Sequence, residues 1–165
     1  MIREILFRAK TVKSVRWICG DLFHTGTEPS DEEFVICYWD DEDGWMNENV
    51  QPSTIGQFTG LLDRNGKRIF EHDIVRRHTT DGYEIDRIGV VFYDEKSACF
   101  KIRWYIDEIW DKRESNVLRR IESLSSKEPE IFIYRDCFGG QNPYTESYNY
   151  VLLGNEFDNK ELLQQ

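Results

Sequence analysis

The residues best suited to catalysis or metal binding are three histidines, His24, His72 and His78. With Asp73, the last two could in principle offer two ring nitrogens and a carboxylate to a metal ion. That spacing matches no metal-binding motif, and positions six residues apart in a strand are separated by roughly 20 Å. The sequence therefore predicts no metal site and no cofactor.

Four cysteines, Cys19, Cys37, Cys99 and Cys137, lie far apart and form no Cys-x-x-Cys pair. Since zinc ligands are normally paired at short spacing, we interpret the four as free, buried thiols. A Cys–His nucleophile pair stays open, because such partners can be distant in sequence. No spacing indicates one, so we predict no catalytic residues and a protein that is not an enzyme, with a hydrolase as the alternative.

Two short motifs have some of the features of ligand-binding loops. Residues 40–43 are all acidic but lack the alternating spacing and the distal glutamate of a calcium loop, so a solvated turn is the simpler interpretation. Gly139 and Gly140 are not followed by Lys-Ser/Thr, which excludes a phosphate-binding loop of that type. No small-molecule substrate is evident.

Charge is unevenly distributed along the 165 residues, whose net charge is −10. From Trp17 to Asp63 there are eleven acidic residues and no Lys or Arg, and the remaining 20 acidic residues nearly balance the 21 basic ones. Such a stretch repels phosphate backbones and attracts basic surfaces. A solvated acidic loop that aids solubility is the alternative.

A group of basic residues, here called the basic strip, follows the acidic stretch and is the candidate interaction surface. Basic groups interleaved with aromatic rings, here Phe58 and Phe70, can hold nucleic acid by phosphate contacts and stacking. Ordinary exposed charge on hairpin turns is the alternative. The acidic stretch could also lie against the strip of the same or a neighbouring subunit, which predicts a homo-oligomer. The strip consists of Arg64, Lys67, Arg68, His72, Arg76 and Arg77.

Most elements that position these residues are predicted strands. Apolar alternation and turn residues, with an aromatic content of 14%, favour a mainly β fold: an antiparallel roll or small barrel with one or two short helices. Apolar residues at helical spacing predict one helix at residues 107–124, and a short helical turn is expected at 158–163. The strands are predicted at residues 3–10, 15–23, 34–39, 87–93, 98–105, 130–134 and 150–153.

The apolar runs are too short to span a bilayer, and charges interrupt the first residues where a signal peptide needs an apolar region. We therefore expect a soluble protein in the cytoplasm of a bacterial host cell, without a membrane partner.

Residues 55–75 predict two further strands and two sharp reversals. Asp63, Asn65 and Gly66 are typical of a hairpin turn, because Asn and Gly tolerate positive φ. Glu71, His72 and Asp73 lie between apolar pairs and indicate a second turn.

This segment closely resembles the signature of the YopX family of phage and prophage proteins. The signature has a Gly-Gln-aromatic-Thr-Gly-Leu stretch, an Asp-x-Asn-Gly turn and an Ile-aromatic-Glu-Gly-Asp-Ile-Val stretch, matched here at residues 56–61, 63–66 and 69–75. Residues 5–8 with 17–22 resemble the family's N-terminal hairpin, and residues 153–163 its closing motif. Three departures stand out: His72 replaces the usual Gly, Lys160 replaces a Pro, and the N-terminal hairpin lacks Asn-Gly.

The resemblance implies an SH3-like barrel with an added N-terminal β-hairpin, a phage or prophage origin, and no catalytic residues. We predict an N-terminal hairpin and acidic segment at residues 1–50, and a barrel domain at 51–165 with an insertion at 107–148. The function we expect is a non-enzymatic binding or assembly module that self-associates. The alternatives are a nucleic-acid-associated accessory protein that uses the basic strip, or an acidic DNA-mimic-like binder of a host protein.

Overall fold

The computed structural model describes residues 4–26, 34–79, 83–111, 116–120, 130–131 and 149–164, to which the account below is confined. Strands dominate these residues, and the helical elements among them are two short 3-10 turns. The predicted mainly β class is confirmed. The chain divides into two compact units: unit 1 is Met1–Leu61 with Arg68–Glu71, and unit 2 is Leu62–Lys67 with His72–Gln165.

The first sheet has the strand order β4-β3-β2-β1-β5-β6. A 3-10 turn at Pro52–Thr54 leads into β5. The strands are β1 (Phe7–Lys10), β2 (Trp17–His24), β3 (Phe34–Asp40), β4 (Gly44–Asn49), β5 (Gly56–Leu62) and β6 (Arg68–Phe70).

One side of the sheet in unit 1 carries a hydrophobic core of Ala9, Ile18, Ile36 and Val50. Residues two apart in a strand share a side, so Gly20 lies on the same side as Ile18. A Cβ at this glycine would lie 2.0 Å from the carbonyl oxygen of Cys37. Only glycine therefore lets β2 approach β3 this closely.

The second sheet has the strand order β10-β9-β8-β7-β12, and β11 pairs with β9. The predicted helical turn near the end of the chain is a 3-10 turn at Lys160–Leu163. Buried residues on these strands include Ile74, Val75, Val91 and Ile102. The strands are β7 (Asp73–Thr79), β8 (Tyr83–Asp94), β9 (Cys99–Asp111), β10 (Asn116–Arg120), β11 (Glu130–Ile131) and β12 (Asn149–Asn155).

The helix predicted at residues 107–124 is wrong for the residues that the structure describes there. β9 continues to Asp111 and β10 begins at Asn116. The reason is that β9 pairs with β8 along its whole length. Cys99 lies opposite Asp94 at one end, and Asp111 lies opposite Tyr83 at the other. An available partner strand outweighs a weak helical periodicity, and β-branched and aromatic residues suit a strand.

Most of the other predicted strands are confirmed, with shifted ends. Residues 132–134 of one predicted strand lie outside the described residues. Strand β4 (Gly44–Asn49) has no counterpart among the predicted strands. The SH3-like closure of the barrel, the boundary at residues 50 and 51, and the insertion at 107–148 stay predictions.

Candidate interaction surfaces

The basic strip divides between the two units. Arg68 belongs to unit 1, whereas the other five members of the strip belong to unit 2. Lys67 and Arg68 are neighbours in sequence and yet fall in different compact units.

Arg64 and Lys67 are exposed on a turn at residues 63–67, here called the Asp63 turn. The Asp63 side chain organises this turn: Oδ1 accepts hydrogen bonds from the backbone nitrogens of Asn65 at 2.8 Å and Lys67 at 2.9 Å. Oδ2 accepts one from the backbone nitrogen of Leu152 at 3.3 Å. The turn is thereby fixed to β12.

The Asp63 side chain is 5% exposed, and its role is to hold the turn. Burial raises the pKa of Asp63, but the amides of Lys67, Leu152 and Asn65 outweigh that effect and hold the pKa below its usual range. The carboxylate is therefore ionised, and its charge is stabilised by amides of the turn and of β12.

Arg68 is already engaged within unit 1. Its Nη2 lies 2.9 Å from Oε1 of Glu4, and its guanidinium lies 5.9 Å from the centroid of the Phe58 ring. Phe58 and Phe70, expected to stack on nucleic-acid bases, are each only 5% exposed and lie 5.5 Å apart. These two rings therefore have little surface to present to a base.

Arg76 and Arg77 are consecutive residues of β7, so their side chains leave opposite faces of the strand. Arg76 is exposed and Arg77 is half-buried. A single surface built from both is excluded by this alternation.

His72 occupies the second turn of the signature segment with a φ of +67°, the left-handed conformation in which glycine is favoured. Its nitrogen donates to the Val91 oxygen at 2.8 Å, and its oxygen accepts from the Glu156 nitrogen at 2.9 Å. Its Nδ1 lies 2.5 Å from Oε1 of Glu156, and its ring packs 5.0 Å from that of Phe157. His72 therefore ties this turn to the residues after β12.

The closing motif of the resemblance also has a structural role. A Cβ at Gly154 would lie 2.2 Å from Oδ1 of Asn159, which itself accepts from the Asn155 nitrogen at 3.2 Å. Oδ1 of Asn155 accepts from the nitrogens of Phe157 and Asp158, both at 3.0 Å. Glycine and asparagine are thus required by the turn.

The remaining candidates for chemistry are not brought together. Within the described ranges, no group of three or more His, Cys, Asp or Glu side chains could hold a metal ion. Cys19, Cys37 and Cys99 are free and half-buried, which corrects their predicted full burial, whereas Cys137 lies outside the described residues. Burial raises the pKa of Cys19, which disfavours the reactive thiolate.

The hairpin of β3 and β4 ends in a turn here called the acidic tip, which consists of Asp40, Asp41, Glu42 and Asp43. Oδ1 of Asp40 accepts from the backbone nitrogens of Glu42 at 3.0 Å and Asp43 at 3.1 Å. These amides lower the pKa of Asp40. Residues 28–33 of the acidic stretch lie outside the described residues.

Three aromatic residues form an exposed surface that sequence reasoning missed, here called the aromatic face. Phe23, Trp39 and Trp45 are 51%, 60% and 66% exposed. Ile36 and Tyr38 face the core, so Trp39 points to the opposite side of the sheet. Trp45 is its cross-strand partner, and the two rings meet edge to face with centroids 5.6 Å apart. Phe23 lies on the same side, opposite Val35 of β3.

The core side of this hairpin is anchored to the residue before β2. The Tyr38 hydroxyl donates to Oε1 of Glu48 at 2.6 Å, and Arg16 bonds to both side chains. The hydrogen bond to Glu48 raises the pKa of Tyr38. These bonds hold β3 and β4 in place on the core side, while the two tryptophans are exposed on the other side.

The sequence carried one signal for the aromatic face. Trp39 and Trp45 flank the acidic tip symmetrically, as the two ends of a hairpin turn do. Without β4 there was no partner strand to place Trp45 beside Trp39.

The paired sheets and the turns built on Asp63, His72 and Asn155 define a mainly β protein whose signature residues serve the fold. The family model for the YopX protein matches residues 6–164, so the chain belongs to the YopX family. This confirms the resemblance noted in the sequence, and the family implies a phage-type protein. No curated protein sequence matches the chain. Among the described residues, no helix is long and apolar enough to cross a membrane.

Proposed function

We propose that this protein is a non-enzymatic binding module of phage or prophage type that self-associates in the cytoplasm of a bacterial host. The observation that carries the proposal is the aromatic face, in which Trp39 and Trp45 are 60% and 66% exposed. Fully burying a large apolar side chain stabilises by about 1.5 to 3 kcal/mol, so covering these rings supplies a driving force for association. Tryptophan is also enriched among the residues that dominate interface energies.

The roles of the signature residues support a non-enzymatic protein. Asp63 holds a turn through backbone amides, and His72 pairs with Glu156 beside β12. His24 packs against Phe34, with ring centroids 4.9 Å apart. These groups serve packing and turn geometry, and their positions require no reactive role.

Charge favours a protein partner over a nucleic acid. The acidic tip follows Trp39 directly, and carboxylates beside a binding face repel phosphate. Opposite charges on one chain favour contact between copies, which is faster and tighter at low salt. A basic host protein and a nucleic acid are the competing partners.

Light scattering coupled to size-exclusion chromatography tests the proposal over a series of protein and salt concentrations. The molar mass is expected to rise above that of the 19.7 kDa monomer with protein concentration and to fall with added salt. A monomer under every condition would overturn self-association.

A variant pair locates the contact. Trp39→Ala with Trp45→Ala should shift the protein toward monomer, because the aromatic face is removed. Tyr105→Ala is the matched control, since this tyrosine is 41% exposed on β9 in unit 2. Equal loss of association in both variants would argue against the aromatic face.

Titration into labelled single- and double-stranded DNA and RNA at low salt discriminates the nucleic-acid alternative. We expect no binding tighter than about 10⁻⁴ M, the weak end of non-specific affinity. Tighter binding that weakens with added salt would favour the accessory role.

A further inference from the structure

We propose that the aromatic face and acidic tip of one copy receive the Asp63 turn of a second copy, with Arg64 and Lys67 as the contacting side chains. This inference rests on the proposed self-association and names the two surfaces that meet. The turn is rigid, its cations are available, and the receiving face matches them in chemistry.

The Asp63 turn is rigid because its backbone is bonded at several points. The Asp63 nitrogen donates to the Lys67 oxygen at 2.7 Å, and the Gly66 nitrogen donates to the Asp63 oxygen at 2.9 Å. The Arg64 nitrogen donates to the Tyr150 oxygen of β12 at 3.0 Å. With the bonds to the buried Asp63 carboxylate, the turn needs little further ordering when it binds, which lowers the entropic cost of association.

The two basic side chains of the turn are available for a partner. Arg64 and Lys67 are exposed, and the bonds that hold the turn use only their backbone atoms. Within the described part of the chain, neither side chain has an ion-pair partner. Arg68 differs, since it already pairs with Glu4 and lies over Phe58.

The receiving surface offers two features that bind a guanidinium or ammonium group. Trp39 and Trp45 meet at an interplanar angle of 83°, so their exposed ring surface is available to a cation. Arginine stacks on tryptophan through cation–π attraction, which strengthens as water is excluded. The ring of Trp39 also passes over Gly44, at 3.9 Å from an ideal Cβ there, so its position is set by the turn.

The acidic tip supplies the complementary charge. Its four carboxylates follow Trp39, whereas the Asp63 turn presents two cations. Asp40 is held by the amides of Glu42 and Asp43, so the carboxylates of Asp41 and Asp43 are left for a partner while the turn stays intact. Each copy of the chain therefore carries both surfaces of the contact: a turn with two cations, and a face with two tryptophans and four carboxylates.

Reciprocal charge reversal tests the contact. The turn variant is Arg64→Glu with Lys67→Glu, and the tip variant is Asp41→Lys with Asp43→Lys. Neither removes a side chain that holds its turn, so both should fold. We expect each alone to associate at least roughly tenfold more weakly than the native protein, as measured by sedimentation, and an equimolar mixture of the two to recover association.

The control is Lys13→Glu with Lys96→Glu, which makes the same change of net charge on two exposed turn residues. Its acidic tip and its Asp63 turn are both unchanged, so it should self-associate more strongly than the turn variant, although the two carry the same net charge.

The outcomes separate this inference from the proposed function. Native-like association of the turn variant, or a mixture that stays monomeric, would overturn the contact while self-association stands. A native protein that is monomeric throughout would instead remove the proposed function itself.

Discussion

Two turns of this protein are built on an aspartate and yet serve different ends. In the Asp63 turn the carboxylate is buried and accepts bonds from the amides of Asn65, Lys67 and Leu152, the last from a strand 89 residues away. In the acidic tip, Asp40 is bonded only to amides two and three residues further along the chain. The first aspartate joins parts of the fold, whereas the second only shapes a local exposed turn.

The difference shows how folding and interaction are divided between the YopX signature and a hairpin outside it. The signature segment is accounted for by turns and buried strands. The hairpin of β3 and β4 exposes two tryptophans beside a turn of four carboxylates. Surfaces of that composition are typical of interaction sites.

The largest expected effect is on stability, at Asp63. Asp63→Ala leaves the partly buried amides of Asn65, Lys67 and Leu152 without their acceptor. We expect a loss of about 1 to 3 kcal/mol in the free energy of unfolding, measured by urea denaturation. A loss no greater than that of Asp40→Ala would contradict the contrast between the turns.

The pH dependence of stability sharpens the same contrast. The folded-state pKa of Asp63 lies below its unfolded value, so its contribution is present above about pH 4 and is lost as the pH falls through the folded pKa. Asp63→Asn should therefore flatten the decline in stability below about pH 4. The side chains of Lys101 and Ser97 lower the pKa of Asp94 as well, so part of the decline should remain. An unchanged pH profile would show that Asp63 does not contribute.

A smaller effect is expected at His72, whose φ is +67°. His72→Gly and His72→Ala both remove the contact with Glu156, so their comparison isolates the backbone conformation. The Gly variant should be more stable than the Ala variant by about 1 kcal/mol, because a Cβ is disfavoured in the left-handed region. Equal unfolding midpoints would mean that the turn relaxes out of that conformation.

The smallest effect on stability is expected at the acidic tip. Asp40→Ala should leave the urea midpoint close to that of the native protein, because Asp40 is only half-buried and its carboxylate accepts bonds from amides of its own turn. The same variant should still weaken self-association by removing a carboxylate beside Trp39. A large fall in the midpoint would make the tip a folding element instead.

Local chemistry made part of this fold predictable. Asp63, Asn65 and Gly66 indicated a turn without reference to any partner, and Glu71, His72 and Asp73 indicated a second turn, in which His72 has a positive φ. The alternation of residues 99–105 likewise predicted a strand whose buried side includes Phe100 and Ile102.

The features that the sequence did not predict depend on partners that are distant in sequence. Residues 107–111 form a strand because β8 is there to pair with them, and no local periodicity shows this. The bond from Leu152 to Asp63 spans the chain in the same way. The aromatic face depends on the register of β3 with β4, and the basic strip looked continuous only because Lys67 and Arg68 are adjacent in sequence.

Hydrogen–deuterium exchange at low and high protein concentration tests the central claim most directly, because it locates the surfaces that association covers. We predict that exchange slows with concentration at residues 39–45 and 63–67, and that added salt reverses the effect. Exchange at both segments that is independent of concentration, while the mass of the protein rises, would contradict the account.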